Sequence, residues 1–283
     1  MFNIENIKDL ETKGFVVCRN MLDENVIQGM AEDYLKSYNE QKSDSTNYHG
    51  VSGNKNILSA VTTDSFKSVL SDVLDYICKS TDIKVNYIPS QGTYFDTEIV
   101  DNRVWHTDHE PYYLSQNCYN VLAIWIPIIK PVYEKSNMMF LPHNKVPEPE
   151  RTRLKGNGAQ YAYILEDGTT DYREYDSGYR TIWNFNVDDL AETVYLNTGD
   201  AVIFRDDTLH KTQDIDTRRV SFAIRCFNLD ATLSKEQLNN GSVEKFKKIN
   251  LPNTVMNKAY TKLMNTFEQK QSDTITFKDF LGI

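Results

Sequence analysis

Residues 199–227 read GDAVIFRDDTLHKTQDIDTRRVSFAIRCF, and this stretch decides the fold. Gly199-Asp200 is a tight-turn pair. The apolar run 201–204 (AVIF) has the length and composition of a buried strand. His210 follows after a short connection, and Arg219-Val220-Ser221 opens a second strand that runs to 227. Side chains alternate across a strand, so Arg219 and Ser221 share one face.

The same texture extends outward over about 85–227. Short β-rich runs occur at 119–129 (YNVLAIWIPII), 138–141 (MMFL), 160–165 (QYAYIL) and 194–196 (VYL). Turn signals separate them, with Asn157-Gly158 and Asp167-Gly168 the strongest. Upstream, 14–18 (GFVVC) reads as a strand. Asp23 then caps a helix to about Asn39, with Val26, Ile27, Met30, Ala31, Tyr34 and Leu35 on one face. Residues 40–56 read as a polar loop. A second helix from Asp64 to about Lys79 carries the stripe Phe66, Val69, Leu70, Val73, Leu74 and Ile77. Past Asp230, helical periodicity returns at 234–249 and 256–270. This order predicts a mainly β protein with flanking helices, a β-sandwich or jelly roll. One domain is expected over 1–283, with N-terminal helices at 1–84, a jelly-roll core at 85–230 and C-terminal helices at 231–283.

The chain has 283 residues, 40% of them hydrophobic, enough for a substantial core. Its formal charge of -9, with pI ≈ 5.1, argues against nucleic-acid binding, and no Lys/Arg cluster makes a local exception. The charge reads as solubility. Cys18, Cys78, Cys118 and Cys226 are far apart and form no CxxC pair, which fits a reducing, cytoplasmic compartment. The opening MFNIENIKDL lacks the basic-then-apolar pattern of a secretory leader, and no apolar run is long enough to span a membrane.

Histidine is scarce: His49, His106, His109, His143 and His210. His106-Thr107-Asp108 lies where the strand-rich region begins, so period two aims an imidazole and a carboxylate the same way and turns Thr107 aside. A lone His-x-Asp also fits a surface strand with a hydrogen-bonded histidine. His210 supplies the third ligand of a 2-His-1-carboxylate triad, which leaves three positions open on Fe(II). Arg219 offers a planar fork for a carboxylate, and Ser221 could add a hydroxyl. An ordinary ion pair to Asp214 or Asp216 is the alternative for Arg219, and Arg218 suits that role better.

Trp105-His106-Thr107-Asp108, the later Gly199-Asp200 leading to His210, and Arg219 beyond it resemble the phytanoyl-CoA dioxygenase-like superfamily. So do the opening GFVVCRNMLDENVIQGM and SNMMFLPHNK (136–145). The resemblance covers residues 14 to about 227. It departs from the family where a Gly-Ser-His turn is replaced by Pro142-His143-Asn144. It implies a double-stranded β-helix, a jelly-roll and cupin-like core. It also implies Fe(II), 2-oxoglutarate and O2, with succinate and CO2 as co-products. His106, Asp108 and His210 would be the ligands, and Arg219 the co-substrate anchor. Asp108 argues against halogenation, because related halogenases vacate that position for chloride.

Other residues carry weaker expectations. His109 alternates away from Asp108, His143 supports a turn, and His49 sits in a loop that could cover the site. Glu110 could meet a substrate amine or form a rim salt bridge. Trp125 and Tyr119 are read as lining the co-substrate pocket with Ser221. Tyr112, Tyr113 and Trp183 could join them or simply pack. Tyr87, Gln91 and Tyr94 precede the motif and could face the site. The expected activity is hydroxylation of an unactivated C–H in a small polar metabolite, such as an amino acid or amine-bearing natural product. Desaturation, cyclisation, a protein substrate and a silent binding barrel are the alternatives.

Overall fold

A computed structural model of the chain describes residues 2–40, 58–61, 63–98, 103–108, 116–155, 159–252 and 254–283. His49, His109, Glu110, Tyr112, Tyr113, the Asn157-Gly158 turn and residues 41–56 of the expected loop lie outside these.

Two antiparallel sheets form the centre. The first has strand order β1 (Asn3–Ile4), β2 (Phe15–Arg19), β12 (Ala201–Arg205), β6 (Val121–Ile129), β14 (Val220–Phe227), β4 (Gln91–Asp96) and β3 (Leu58–Val61). The second runs β10 (Arg180–Trp183), β9 (Thr170–Glu174), β8 (Gln160–Ile164), β5 (Trp105–His106), β13 (His210–Thr212), β7 (Met138–Phe140) and β11 (Glu192–Val194). Strands distant in sequence lie side by side, as in the double-stranded β-helix. Strand β13, for instance, pairs with both β5 and β7.

The first sheet is apolar on both faces, which explains why β6 and β12 read as nearly unbroken apolar runs. A short helix α1 (Asp9–Thr12) precedes β2, and one face of the sheet, with Ile124, Ile126, Ile203, Phe222 and Ile224, packs beneath the longer helices α2 (Glu24–Glu40) and α3 (Asp64–Ser80). The other face, with Ala123, Trp125, Val202 and Phe204, meets Met138, Phe140 and Val194 of the second sheet. Helix α2 starts where Asp23 Oδ1 accepts from Val26 N at 2.9 Å, and α3 starts on the Thr63 hydroxyl. The predicted α3 stripe is buried at Phe66, Leu70, Val73, Leu74 and Ile77. Leu35 departs from the α2 stripe: it is exposed, while Ile27, Met30, Tyr34 and Tyr38 make the contact.

Several boundaries shift. Residues 118–120 form a 3-10 turn, so β6 begins at Val121. The expected 194–196 strand sits at 192–194. The expected helix 234–249 is two, Lys235–Asn239 and Val243–Ile249, broken at Gly241, whose φ is 142°. These C-terminal helices are not remote from the core. Ile249 and Met256 pack with Ala159 at the start of β8.

The Gly199-Asp200 pair has a physical cause. Gly199 has φ 86°, and a Cβ there would fall 2.5 Å from Ile27 Cδ1. The Asp200 carboxylate accepts from Asn20 N and Asn197 N, both at 2.9 Å, and from Arg19 Nη1 at 3.1 Å. That turn sets the start of β12, and β12 delivers the chain to His210.

Candidate metal centre

Tyr161, His106, His210 and Phe140 form one cross-strand row. The register places His106 opposite Tyr161 on β8 and opposite His210 on β13, and His210 opposite Phe140 on β7. Directly opposed residues project to the same face, and Phe140 points between the sheets. Strand β5 ends at His106, yet the extended pairing continues: Thr107 N donates to Gln160 O at 3.1 Å. The Thr107 hydroxyl accepts from Gln160 N at 2.9 Å, so Thr107 turns away and Asp108 rejoins the His106 face.

One ligand atom from each of His106, Asp108 and His210 lies within 4.8 Å of the others. His106 Nδ1 is 2.7 Å from the Val104 carbonyl, and His210 Nδ1 is 2.9 Å from the Thr208 carbonyl. A carbonyl only accepts, so each Nδ1 carries a proton and Nε2 is the nitrogen left to meet a metal. Burial and the neighbouring His106 pull the His210 imidazole down to about 4, which keeps it neutral. Phe140 and Phe204 flank its ring, with centroids at 5.8 and 4.8 Å. Burial raises the Asp108 carboxyl, but Arg225 and the two histidines outweigh that and hold it below its usual range. Two imidazoles and one carboxylate make a donor set that fits Fe(II).

Arg219 and Trp125 occupy the same inter-sheet space. Arg219 is 4% exposed, and its Nη1 donates to the Ser136 carbonyl at 2.6 Å. Its guanidinium lies 4.8 Å from the centre of the Trp125 ring. No carboxylate among the described residues pairs with it, and its Nε is buried without a hydrogen-bond partner. Burial lowers its pKa to about 10. Burial, and then the nearby Arg219, lower the Lys130 pKa as well. An orphaned buried donor on an unpaired guanidinium fits a carboxylate from outside the chain, as the distal end of 2-oxoglutarate would supply. Arg218 instead pairs with Asp96 at 2.8 Å and Glu98 at 3.3 Å, while Asp216 pairs with Lys135.

Other expected site residues lie elsewhere. The Ser221 hydroxyl donates to the Phe95 carbonyl at 3.3 Å, so its proton is committed across the sheet. Tyr119 is exposed in the turn before β6, with Arg205 over its ring at 4.6 Å. It does not join Arg219 and Trp125. Trp183 stacks on Tyr172 at 4.3 Å within the core, and Tyr94 points beneath α2, where its hydroxyl meets Asp33. His143 does support a turn. Its Nε2 donates to the Asp207 carbonyl at 3.2 Å, bracing the connection that leads to His210.

Three contributors were missed from sequence. Arg225 grips Asp108, with Nη2 at 2.9 Å from Oδ2. Tyr161 faces His106, with ring centroids 6.3 Å apart, and Lys248 of the C-terminal helix reaches its hydroxyl at 3.3 Å. Asp206 is buried with neither carboxylate oxygen hydrogen-bonded, and burial with the nearby Asp207 and Asp108 raises its pKa well above normal. Period two after Arg219 could have signalled Arg225. Nothing local signalled Tyr161 or Asp206.

A jelly-roll core with an inward His/Asp/His cluster and a buried arginine defines the class of 2-oxoglutarate-dependent non-haem iron oxygenases. The family model described as phytanoyl-CoA dioxygenase (PhyH) matches residues 10–220, and the chain belongs to that family. Among solved structures it is similar to the non-haem alpha-ketoglutarate-dependent carbocyclase SnoK from nogalamycin biosynthesis. That match has 13% identity and TM-score 0.52, covering 85% of this chain and 88% of SnoK. It is also similar to EctD from S. alaskensis, crystallised with 2-oxoglutarate and 5-hydroxyectoine. There the identity is 11% and the TM-score 0.51, over 80% of this chain and 76% of EctD. At such identities these likenesses speak for the fold alone. No curated protein sequence matches this one. Among the described residues no helix is long and apolar enough to cross a membrane.

Proposed function

We propose that this chain hydroxylates an unactivated C–H bond of a small polar metabolite, an amino acid or an amine-bearing compound. Iron is held by His106, Asp108 and His210, and Arg219 anchors 2-oxoglutarate. The observation that carries the reading is the coexistence, between the same two sheets, of the ligand triad and a buried guanidinium without an acid partner. Fe(II) with 2-oxoglutarate and O2 supplies the oxidising power to attack such a bond, releasing succinate and CO2.

The chain's own residues bind, orient and exclude water. The two Nδ1–H groups bond backbone carbonyls, so both Nε2 atoms are presented without reorganisation. Phe140 and Phe204 close off the His210 side. On the His106 side, Tyr161 and Tyr175 stand edge to face at 4.8 Å and offer aromatic faces and hydroxyls to a compact substrate. That lining is aromatic and polar, with Lys248 5.4 Å from each ring centre, and it supports a small polar substrate.

The test is succinate release against a panel of metabolites, followed by product mass. Gain of one oxygen atom supports hydroxylation. Loss of two hydrogens means desaturation or ring closure at the same centre. Metal-loaded protein that converts 2-oxoglutarate with none of the panel, and fails to retain it, would favour a silent binding barrel.

A further inference from the structure

We infer that Arg225 is a positioning residue for Asp108: it holds one carboxylate oxygen so that only the other faces the metal. This rests on the metal assignment proposed above. Both Nη2, at 2.9 Å, and Nε, at 3.2 Å, converge on Oδ2. The free oxygen, Oδ1, is the one that looks toward His210 Nε2, at 3.9 Å. A carboxylate can meet a cation through one oxygen or two. If Asp108 used both, it would fill a position that a two-point co-substrate or O2 requires. A planar guanidinium with two donors on Oδ2 opposes that rotation in a way that a single-donor side chain does not.

The placement follows from strand β14. Ser221, Ala223 and Arg225 share the face that points between the sheets, opposite Pro127, Trp125 and Ala123. Arg219 stands at one end of this row, over Trp125, and Arg225 at the other, on Asp108. Ala223, between them on the strand, is small. One strand therefore carries both the guanidinium for the co-substrate and the brace for the carboxylate ligand. Asp206 lies on the continuation of the Val202 and Phe204 face, within electrostatic range of both Arg225 and Asp108. It receives no hydrogen bond, so in this acid–arginine–acid cluster it is Asp108 that Arg225 orients.

The experiment compares wild type, Arg225→Gln and Arg225→Lys, with His106→Ala as the metal control. Each is checked for folding by thermal melting, titrated anaerobically with Fe(II), and then titrated with 2-oxoglutarate. The Co(II)-loaded wild type and Arg225→Gln are crystallised. The expected result is a split. Arg225→Gln keeps Fe(II) affinity within about threefold, loses at least tenfold in 2-oxoglutarate affinity, and shows Asp108 bound through both oxygens. Arg225→Lys recovers part of the co-substrate affinity. The inference is overturned if Arg225→Gln binds 2-oxoglutarate like wild type. It is equally overturned if metal and co-substrate affinity fall together, or if Asp108 stays bound through one oxygen. Retained metal binding in His106→Ala would instead sink the metal assignment itself.

Discussion

The Arg219 guanidinium lies over Trp125 at 4.8 Å and donates to the Ser136 carbonyl, yet no described carboxylate forms a salt bridge with it, and Asp214 and Asp96 act on it only from farther off. The arrangement is complete only with an anion from outside. Arg219→Ala would leave a bound co-substrate carboxylate buried without its partner, which costs about 3–5 kcal/mol. That is a loss of at least roughly two decades in 2-oxoglutarate affinity. Arg218→Ala, which removes a partner of Asp96 on the helix-covered side, should leave that affinity within about threefold. Isothermal titration of the metal-loaded variants decides it. Exchange of the two phenotypes would mean that Arg218, not Arg219, faces the inter-sheet space.

The triad makes a sharper demand. His106→Ala or His210→Ala should abolish Fe(II) binding at micromolar metal, because each removes one of three donors. His143→Ala should retain measurable iron binding, since His143 acts through the Asp207 carbonyl and not on the metal. Metal content after anaerobic reconstitution is the readout. Full turnover by either triad variant refutes the assignment.

Asp206 is a burden on the metal-free fold. Its buried carboxyl has a raised pKa, so the folded state holds a proton that the unfolded chain releases above its ordinary carboxylate range. Stability is therefore unpenalised below about pH 4 and falls as pH rises toward the folded pKa. Asp206→Asn removes the ionisable group and keeps the shape, so it abolishes a penalty that grows by about 1.4 kcal/mol for each pH unit between the ordinary carboxylate pKa and the folded one. The variant's apo melting temperature at pH 7 should rise by a few degrees, with a flatter dependence between pH 4 and 7. An unchanged or lower melting temperature would show that the carboxylate is compensated in solution.

The substrate class is tested by competition. Free amino acids and amines, and separately acyl-CoA thioesters, are assayed for stimulated 2-oxoglutarate decarboxylation. Stimulation by amine-bearing compounds is expected. Robust coupling to an acyl-CoA with none to amines would overturn the substrate choice and leave the oxygenase class intact.

Much of this was legible in the chain, for a local reason. The pleat of a strand has period two, so His106 and Asp108 share a face by spacing alone, as do Arg219 and Ser221. Likewise the α3 stripe announces its buried side through helical period. Where backbone geometry was not regular, the reading slipped. Tyr119 fell in a 3-10 turn, exposed and against Arg205, and Gly241 split one expected helix into two.

What the sequence by itself determined is the kind of candidate ligand and the strand face that each candidate occupies. Only the tertiary structure decided who stands opposite whom. His210 meets His106 across a pairing of β13 with β5 that spans 104 positions (210 − 106). Tyr161, Arg225 and Lys248 arrive from three other elements. Cross-strand register depends on the packing of the whole core, in which shifting a strand by one residue would bury its polar face. No local pattern carries that information, because the energy that sets it is distributed over both faces of the two sheets.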